Sequence, residues 1–256
     1  MHLLSVVTIH LNDFPGLART LRSLKKHLGN ERFEWVFIDG GSTKSSDNHG
    51  RIFKQAISEA TCYISETDNG IYDAMNKGTR MAQGDYVLFL NAGDELHEKF
   101  DIESLFSLVD SNQPDMVWGR CIERNTNGTE IELKTRSPAW AWYGVPVYHP
   151  AIMFKKDVLG TDPYDTSLQI AADYDLVCKL LVSGAKVKRI PMPVARFYLG
   201  GLSDQSYVKT LQEEHEVRIK YFGVPSSISR VIQLLKKGLK RISGVSSVRA
   251  AWRKWI

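Results

Sequence analysis

In its first half the chain swings between short runs of strand-forming residues and segments with helical spacing. This alternation restricts the fold more than any other feature. Residues 5–10 and 33–38 read as buried strands, 61–65 as a short third and 86–90 as a fourth. After the first strand, Leu17, Thr20, Leu21, Leu24 and Leu28 share one helical face, and Gly29-Asn30 stops the helix. Residues 71–82 are again helical, ending before Gly84. This order predicts an α/β fold with a mostly parallel central sheet and helices packed on it. In such sheets ligands bind just past the carboxyl ends of the strands. Two of those ends carry an Asp among glycines, Asp39 and Asp94. Glycine lets the backbone turn sharply and a ligand come close.

Each polar residue near these ends has an ordinary reading beside a functional one. Asp39 in Asp39-Gly40-Gly41-Ser42-Thr43 can cap its own turn, or accept hydrogen bonds from a nucleobase or ribose. Asp94 in Asn91-Ala92-Gly93-Asp94 can close a turn, or hold Mg²⁺ or Mn²⁺, hard ions that complete their shell with water and phosphate oxygens. Between them, Asp68-Asn69-Gly70 signals a turn, and Asp73, Asn76 and Lys77 share a helical face, either solvated or turned toward a nucleotide. Asp173 opens a helix over residues 171–182, as a dipole-favoured cap or as a general base. His149 reads either as a hydrogen-bonded structural residue or as a phosphate or acceptor contact. Trp140, Trp142 and Tyr143 suit a core, and their closeness to Gly144 and Pro146 leaves an acceptor-stacking loop open. Gly200-Gly201-Leu202-Ser203 is either a tight turn or a set of backbone N–H groups for phosphate. The second half adds strands at residues 116–122, 129–134 and 187–190 and a polar helix over 205–222.

Taken together, these segments resemble the family-2 inverting glycosyltransferases of the GT-A fold over residues 3–205. Within that family the chain is most similar to bacterial exopolysaccharide and O-antigen transferases of the colanic-acid type. The resemblance rests on the first strand with Asn12, on residues 39–43, and above all on the block from Asp68 to Asp94. It continues through His149, Asp173-Tyr174-Asp175-Leu176 and Gly200-Gly201-Leu202-Ser203. It implies that Asp39 binds the donor's base, that Asp94 is the metal-binding Asp of a D-x-D-like motif, and that Asp173 is the catalytic base. It also implies a donor site lined by Asn12, Asp68, Asn69, Asn76, Lys77, Asn91 and Gly93. His149 is a second candidate metal contact, and Gly200, Gly201 and Ser203 form a candidate acceptor or phosphate loop. Two positions depart from the pattern. Many relatives carry a carboxylate where this chain has Asn91 or Gly93, so Asp94 is the only acid in its motif. The usual Glu before the base is Ala172.

The three cysteines, Cys62, Cys121 and Cys178, form no C-x-x-C pair, which argues against a disulfide framework or a zinc site and for a reducing cytosol. The apolar N-terminus is too short for a signal peptide, and no stretch reaches the ~18–20 apolar residues of a spanning helix. The net charge of +4 conceals an asymmetry. Residues 226–256 carry Arg230, Lys236, Lys237, Lys240, Arg241, Arg249, Arg253 and Lys254 and no acid, so the remainder is mildly acidic. There Ile228, Val231, Ile232, Leu235, Leu239 and Ile242 form an apolar stripe, and Val248, Trp252 and Trp255 repeat the spacing. Basic amphipathic helices with tryptophans seek membrane surfaces, although a helix docked on the body with solvated lysines has the same pattern.

The expected organisation is a GT-A domain over residues 1–225 and a membrane-associating tail over 226–256. The expected activity is transfer of a sugar from a nucleotide-diphosphate donor to a glycan acceptor, lipid-linked, in exopolysaccharide or O-antigen biosynthesis, at the inner face of a bacterial cytoplasmic membrane. The alternative is a non-catalytic nucleotide-sugar or glycan-binding module. No nucleic-acid recognition motif appears, and His10-Leu11-Asn12-Asp13 lacks the glycine-rich triphosphate loop of a nucleotidyltransferase.

Overall fold

A computed structural model describes residues 3–44, 46–109, 113–125, 127–133, 135–198 and 206–242. Strands β1 (Leu4–His10), β2 (Phe33–Asp39), β3 (Cys62–Ser65) and β4 (Tyr86–Phe89) alternate with helices α1 (Phe14–Leu24), α2 (Asp47–Glu59) and α3 (Ile71–Met81). β1 and β2 are buried along their whole length and pair in parallel, with Leu4 opposite Phe33 and His10 opposite Asp39. β3 pairs in parallel on the far side of β2 and brings Ser65 beside Asp39, and β4 pairs in parallel with β1. Four carboxyl ends therefore open along one edge, as the strand–helix alternation predicts.

Beyond β4 the sheet becomes mixed. It continues with β5 (Glu95–Leu96), helix α4 (Ile102–Val109), β6 (Met116–Arg124), β7 (Glu130–Leu133), β8 (Ile152–Lys155), α5 (Lys156–Leu159), α6 (Ala172–Val182) and β9 (Val187–Tyr198). The strand order is β3-β2-β1-β4-β8-β6-β9-β5, with β7 on β6. β8 is antiparallel to β4 and β6, β7 to β6 and β5 to β9, while β6 and β9 run parallel. β9 runs well past the residue 190 at which the sequence pattern stops. Pro191 and Pro193 break the alternation there, and the ladder absorbs them at register shifts between Trp118 and Cys121 of β6.

Helix α1 shows how local chemistry orients an element. Asp13 caps it by accepting the Gly16 N–H at 2.9 Å, and Pro15 occupies its first turn, where no N–H is needed. Its buried face is Phe14, Leu17, Leu21 and Leu24, and burial of each such side chain contributes about 1.5–3 kcal/mol. The helix ends at Leu24, and the expected last residue, Leu28, lies in the turn that follows. Helix α3 lies so close to β1 that a Cβ at Gly78 would sit 2.3 Å from Val7 Cγ1, so only glycine allows this approach.

Helices α7 (Tyr207–Phe222) and α8 (Ser226–Ile242) close the described chain. They meet through a buried polar network. Arg218, without exposure, donates to Ser229 Oγ at 2.9 Å and to Glu214 at 3.2 Å, and Lys236 reaches Glu214 at 2.6 Å. Lys236 is thus no solvated lysine. It lies under the Tyr143 ring with its pKa lowered, chiefly by burial. Ile232 also turns inward, while Ile228, Val231, Leu234 and Leu235 are each at least half exposed. Residues 243–256, including Val248, Arg249, Trp252, Arg253, Lys254 and Trp255, lie outside the described residues. The three cysteines are free, Cys62 half-buried and Cys121 and Cys178 buried.

Candidate active site at the carboxyl ends of the strands

Asp39 forms the floor of the edge. Its Oδ1 lies 2.9 Å from His10 Nδ1, and its Oδ2 accepts from the Ser42 N–H at 3.1 Å and the Ser65 hydroxyl at 2.7 Å. Burial alone would raise its pKa, but these hydrogen bonds hold it well below the usual carboxylate range. Asp39 is therefore an ionised, fully buried strut tying β1, β2 and β3 together. Asn12, at φ 58, adds a second tie: its N–H donates to Ser42 Oγ and its Oδ1 accepts the Thr43 N–H, both at 2.8 Å.

Asp68 brings the next segment onto this turn. A Cβ on Gly40 would lie 2.7 Å from Asp68 Oδ2, so the missing side chain leaves room for the carboxylate. Lys77 holds Asp68 at 2.6 Å and Glu66 at 2.9 Å, with Asp73 at 3.5 Å. The Asn69 N–H caps onto Asp73 at 2.9 Å. Lys77 thus spends its charge inside its own segment. Asn76 is committed as well. It is buried, and its amide exchanges two 3.0 Å hydrogen bonds with the Tyr164 backbone, so it clamps α3 to that segment.

At the end of β4 the backbone turns through Asn91 and Gly93, the latter at φ 104. Thr20 of α1 fastens this turn: its Oγ1 accepts the Gly93 N–H at 3.0 Å and donates to the Asp94 carbonyl at 2.6 Å. The Asp94 carboxyl is buried, and among the described residues its one hydrogen bond is a long contact of 3.4 Å from the Tyr198 N–H. Burial pushes its pKa up to about 7, against the pull of Tyr198 and Arg19. Asn91 Oδ1 beside it is buried without a partner. Two under-satisfied oxygens fit a hard cation that takes few protein ligands. No group of three His, Cys, Asp or Glu ligands exists among the described residues, so most of the shell would come from water and phosphate. His149 does not join this pair in any such group. Its Nε2 bonds the Tyr164 hydroxyl at 2.8 Å, its ring stacks on Phe89, and burial pushes its pKa down to about 4. It is a neutral structural histidine.

Asp173 sits in the first turn of α6, partly exposed. Its Oδ1 accepts the Tyr174 N–H at 2.7 Å. Desolvation pushes its pKa up to about 6, opposed by this bond and by the Tyr72 hydroxyl. Tyr72 opens α3 just after Asp68, which joins the base candidate to the donor edge. Tyr72 and Tyr164 are held neutral, their pKa values raised mainly by burial and then by Asp173. The turn before Asp173 is set by Glu213 of α7, which accepts the Ile170 and Ala171 N–H groups at 2.8 and 2.9 Å. Trp140 and Trp142 flank this region, stacked at 6.4 Å and about two-fifths exposed, so they are not core. Their loop is anchored by the Tyr174 hydroxyl on the Ala141 carbonyl.

Glu213, Tyr72 and Arg19 were not singled out from the sequence. Each is an unremarkable residue of an amphipathic helix, and only the fold places it. The Gly200, Gly201 and Ser203 loop lies outside the described residues.

Comparison with known proteins agrees with this arrangement. The profile described as Glycosyl transferase family 2 matches residues 5–171. A PGL/p-HBAD biosynthesis glycosyltransferase of Mycobacterium tuberculosis is 29% identical over 98% of this chain and 97% of its own. An uncharacterized glycosyltransferase of the same species is 32% identical over 68% of this chain and 67% of its own. Among solved structures, Staphylococcus aureus TarS in complex with UDP-GlcNAc superposes with a TM-score of 0.63 at 14% identity, over 90% of this chain and 70% of that one. The Pyrobaculum calidifontis mannosyltransferase PcManGT, in complex with GDP-Man and Mn²⁺, gives a TM-score of 0.65 at 14% identity, over 99% and 83%. These likenesses show the GT-A fold, and the matched relatives are not specifically colanic-acid or exopolysaccharide enzymes. With its ligand edge built from the ends of parallel strands and its profile matched over most of its length, the chain belongs to glycosyl transferase family 2.

Proposed function

We propose that the protein is an inverting glycosyltransferase that moves a sugar from a nucleotide-diphosphate donor to a glycan acceptor, lipid-linked, with Mg²⁺ or Mn²⁺ assisting. The observation that carries this reading is the under-satisfied Asp94 carboxyl in the turn after β4, next to the unpartnered Asn91 Oδ1, together with Asp173 partly exposed in the first turn of α6. Asp39, Asn12, Asp68 and Asn69 frame the nucleoside end, and Asn91, Gly93 and Asp94 the diphosphate end. Asp94, with Asn91, would hold the cation, whose charge offsets that developing on the leaving diphosphate. Asp173 accepts the acceptor hydroxyl's proton as that oxygen attacks the anomeric carbon. The nucleoside diphosphate leaves from the opposite face, and one displacement inverts the centre. The exposed Trp140–Trp142 pair suits the apolar face of an acceptor sugar.

A donor panel tests the reading. UDP-, GDP- and dTDP-sugars are mixed with the protein and Mn²⁺ or Mg²⁺, with and without EDTA, and binding and nucleotide release are followed. Metal-dependent binding and turnover of one donor are expected. Binding without turnover, even with lipid extract as acceptor, would favour the non-catalytic module.

The same reading puts the protein at the inner face of the cytoplasmic membrane, residues 1–225 as the catalytic domain and 226–256 as the membrane-associating segment. No helix among the described residues is long and apolar enough to span a bilayer. The exposed face of α8 and the basic residues around it support surface attachment to anionic lipid. Co-sedimentation with vesicles containing anionic phospholipid is expected to weaken with salt. It should fall by at least about tenfold in a Val231→Glu/Leu234→Glu variant, which loses two exposed apolar side chains that would enter the bilayer surface. Indifference to both changes would remove the membrane from this proposal.

A further inference from the structure

Among the described residues, Arg19 of α1 is a charged side chain beside the Asp94 turn whose place the proposed donor site leaves unexplained. Its neighbour Thr20 is hydrogen-bonded to both Gly93 and Asp94, so the position of Arg19 relative to that turn is set by the fold. A Cβ on Gly93 would lie 3.5 Å from Arg19 Nη2, so the glycine leaves the guanidinium uncovered on that side. The other side lies over the Tyr198 ring, 4.9 Å from its centroid. Arg19 makes no ion pair among the described residues, and its Nε is buried with no hydrogen-bond partner. Asp13 is also near Gly93, but it serves as the cap of α1 and makes no ion pair with Arg19. An arginine held on an aromatic ring, with its fork unspent, suits recognition of phosphate oxygens.

We infer that Arg19 contacts the donor's diphosphate directly and is a second cationic group for the leaving nucleoside diphosphate. This rests on the donor site proposed above. It also gives a physical role to a motif with one acid: where Asp94 supplies a single carboxylate for the cation, a fixed guanidinium adds positive charge that needs no metal.

Calorimetric binding of UDP and GDP to the full chain tests this, with Mn²⁺ and separately with EDTA. Arg19→Gln should weaken the bound nucleoside diphosphate on the order of tenfold or more in both conditions, with uridine or guanosine binding unchanged. Arg19→Lys, which keeps the charge and loses the fork, should fall between. Thermal melting confirms that each variant is folded. A loss seen only with Mn²⁺ would mean that Arg19 acts through Asp94, and would overturn direct contact. Unchanged binding in both conditions would overturn any role for Arg19 in the site while leaving the transferase reading intact. If the unsubstituted protein binds no nucleoside diphosphate at all, both fail together.

Discussion

Asp173→Asn is expected to lower kcat by about 10²–10⁴, the usual contribution of a positioned general base, with donor binding unchanged. The amide can still accept the Tyr174 N–H but cannot take a proton. Donor binding by calorimetry and turnover with acceptor should therefore separate, and a variant with full turnover would remove Asp173 from the mechanism. In the unsubstituted enzyme the base must be ionised, so kcat should rise with pH through about 6 and then level off. The same residue should oppose stability. Its carboxyl shifts from an ordinary 3.8 to about 6 on folding, so the folded state binds more protons in that interval. Stability then falls as pH rises from about 4 to about 6 and stays lower above it. Asp173→Asn should accordingly stabilise the protein at neutral pH, on the order of 1–2 kcal/mol. Opposite signs for activity and stability are the mark of a functional carboxyl, because a merely structural cap would lose both.

Asp94→Ala is expected to abolish the metal-dependent part of donor binding and to lower kcat/KM by on the order of 10²–10³. A metal at a developing charge is worth several kcal/mol, and about 1.4 kcal/mol is tenfold in rate. The backbone of the turn should survive, because Thr20 holds it through the Gly93 N–H and the residue-94 carbonyl, not through the lost carboxyl. Titration of Mn²⁺ against donor binding is the direct measurement. A variant with the metal response of the parent would place the cation elsewhere.

The two substitutions probe separately held residues, and their independence is itself informative. Asp94 is held by α1 and the β4 turn, Asp173 by α6 and α7. Loss of one should leave the local contacts of the other in place. Glu213 ties the start of α6 to α7, and Arg218 and Lys236 tie α7 to α8, so the segment proposed to meet the membrane is fixed to the turn that presents Asp173.

Much of this protein was determined by short-range pattern. The strand–helix alternation of the first half, the glycine-flanked acids at the strand ends and the block from Asp68 to Asp94 were legible because each depends on spacing within a few turns of chain. The sheet edge on which they meet follows from parallel pairing alone. The mixed half of the sheet was not legible. β8 and β5 are short, α2 and α4 passed unread, and the prolines of β9 hide its length because only the register shifts opposite them make room. The tertiary structure also decided which polar residues are free to act. Asn76 and His149 are hydrogen-bonded to Tyr164, far off in the chain or packed among aromatic rings, whereas Lys77 is paired with the carboxylates of its own segment. Asp94, Asp173 and Arg19 retain unspent charge or lone pairs, and that difference arises only when strands and helices far apart in the chain are packed against one another.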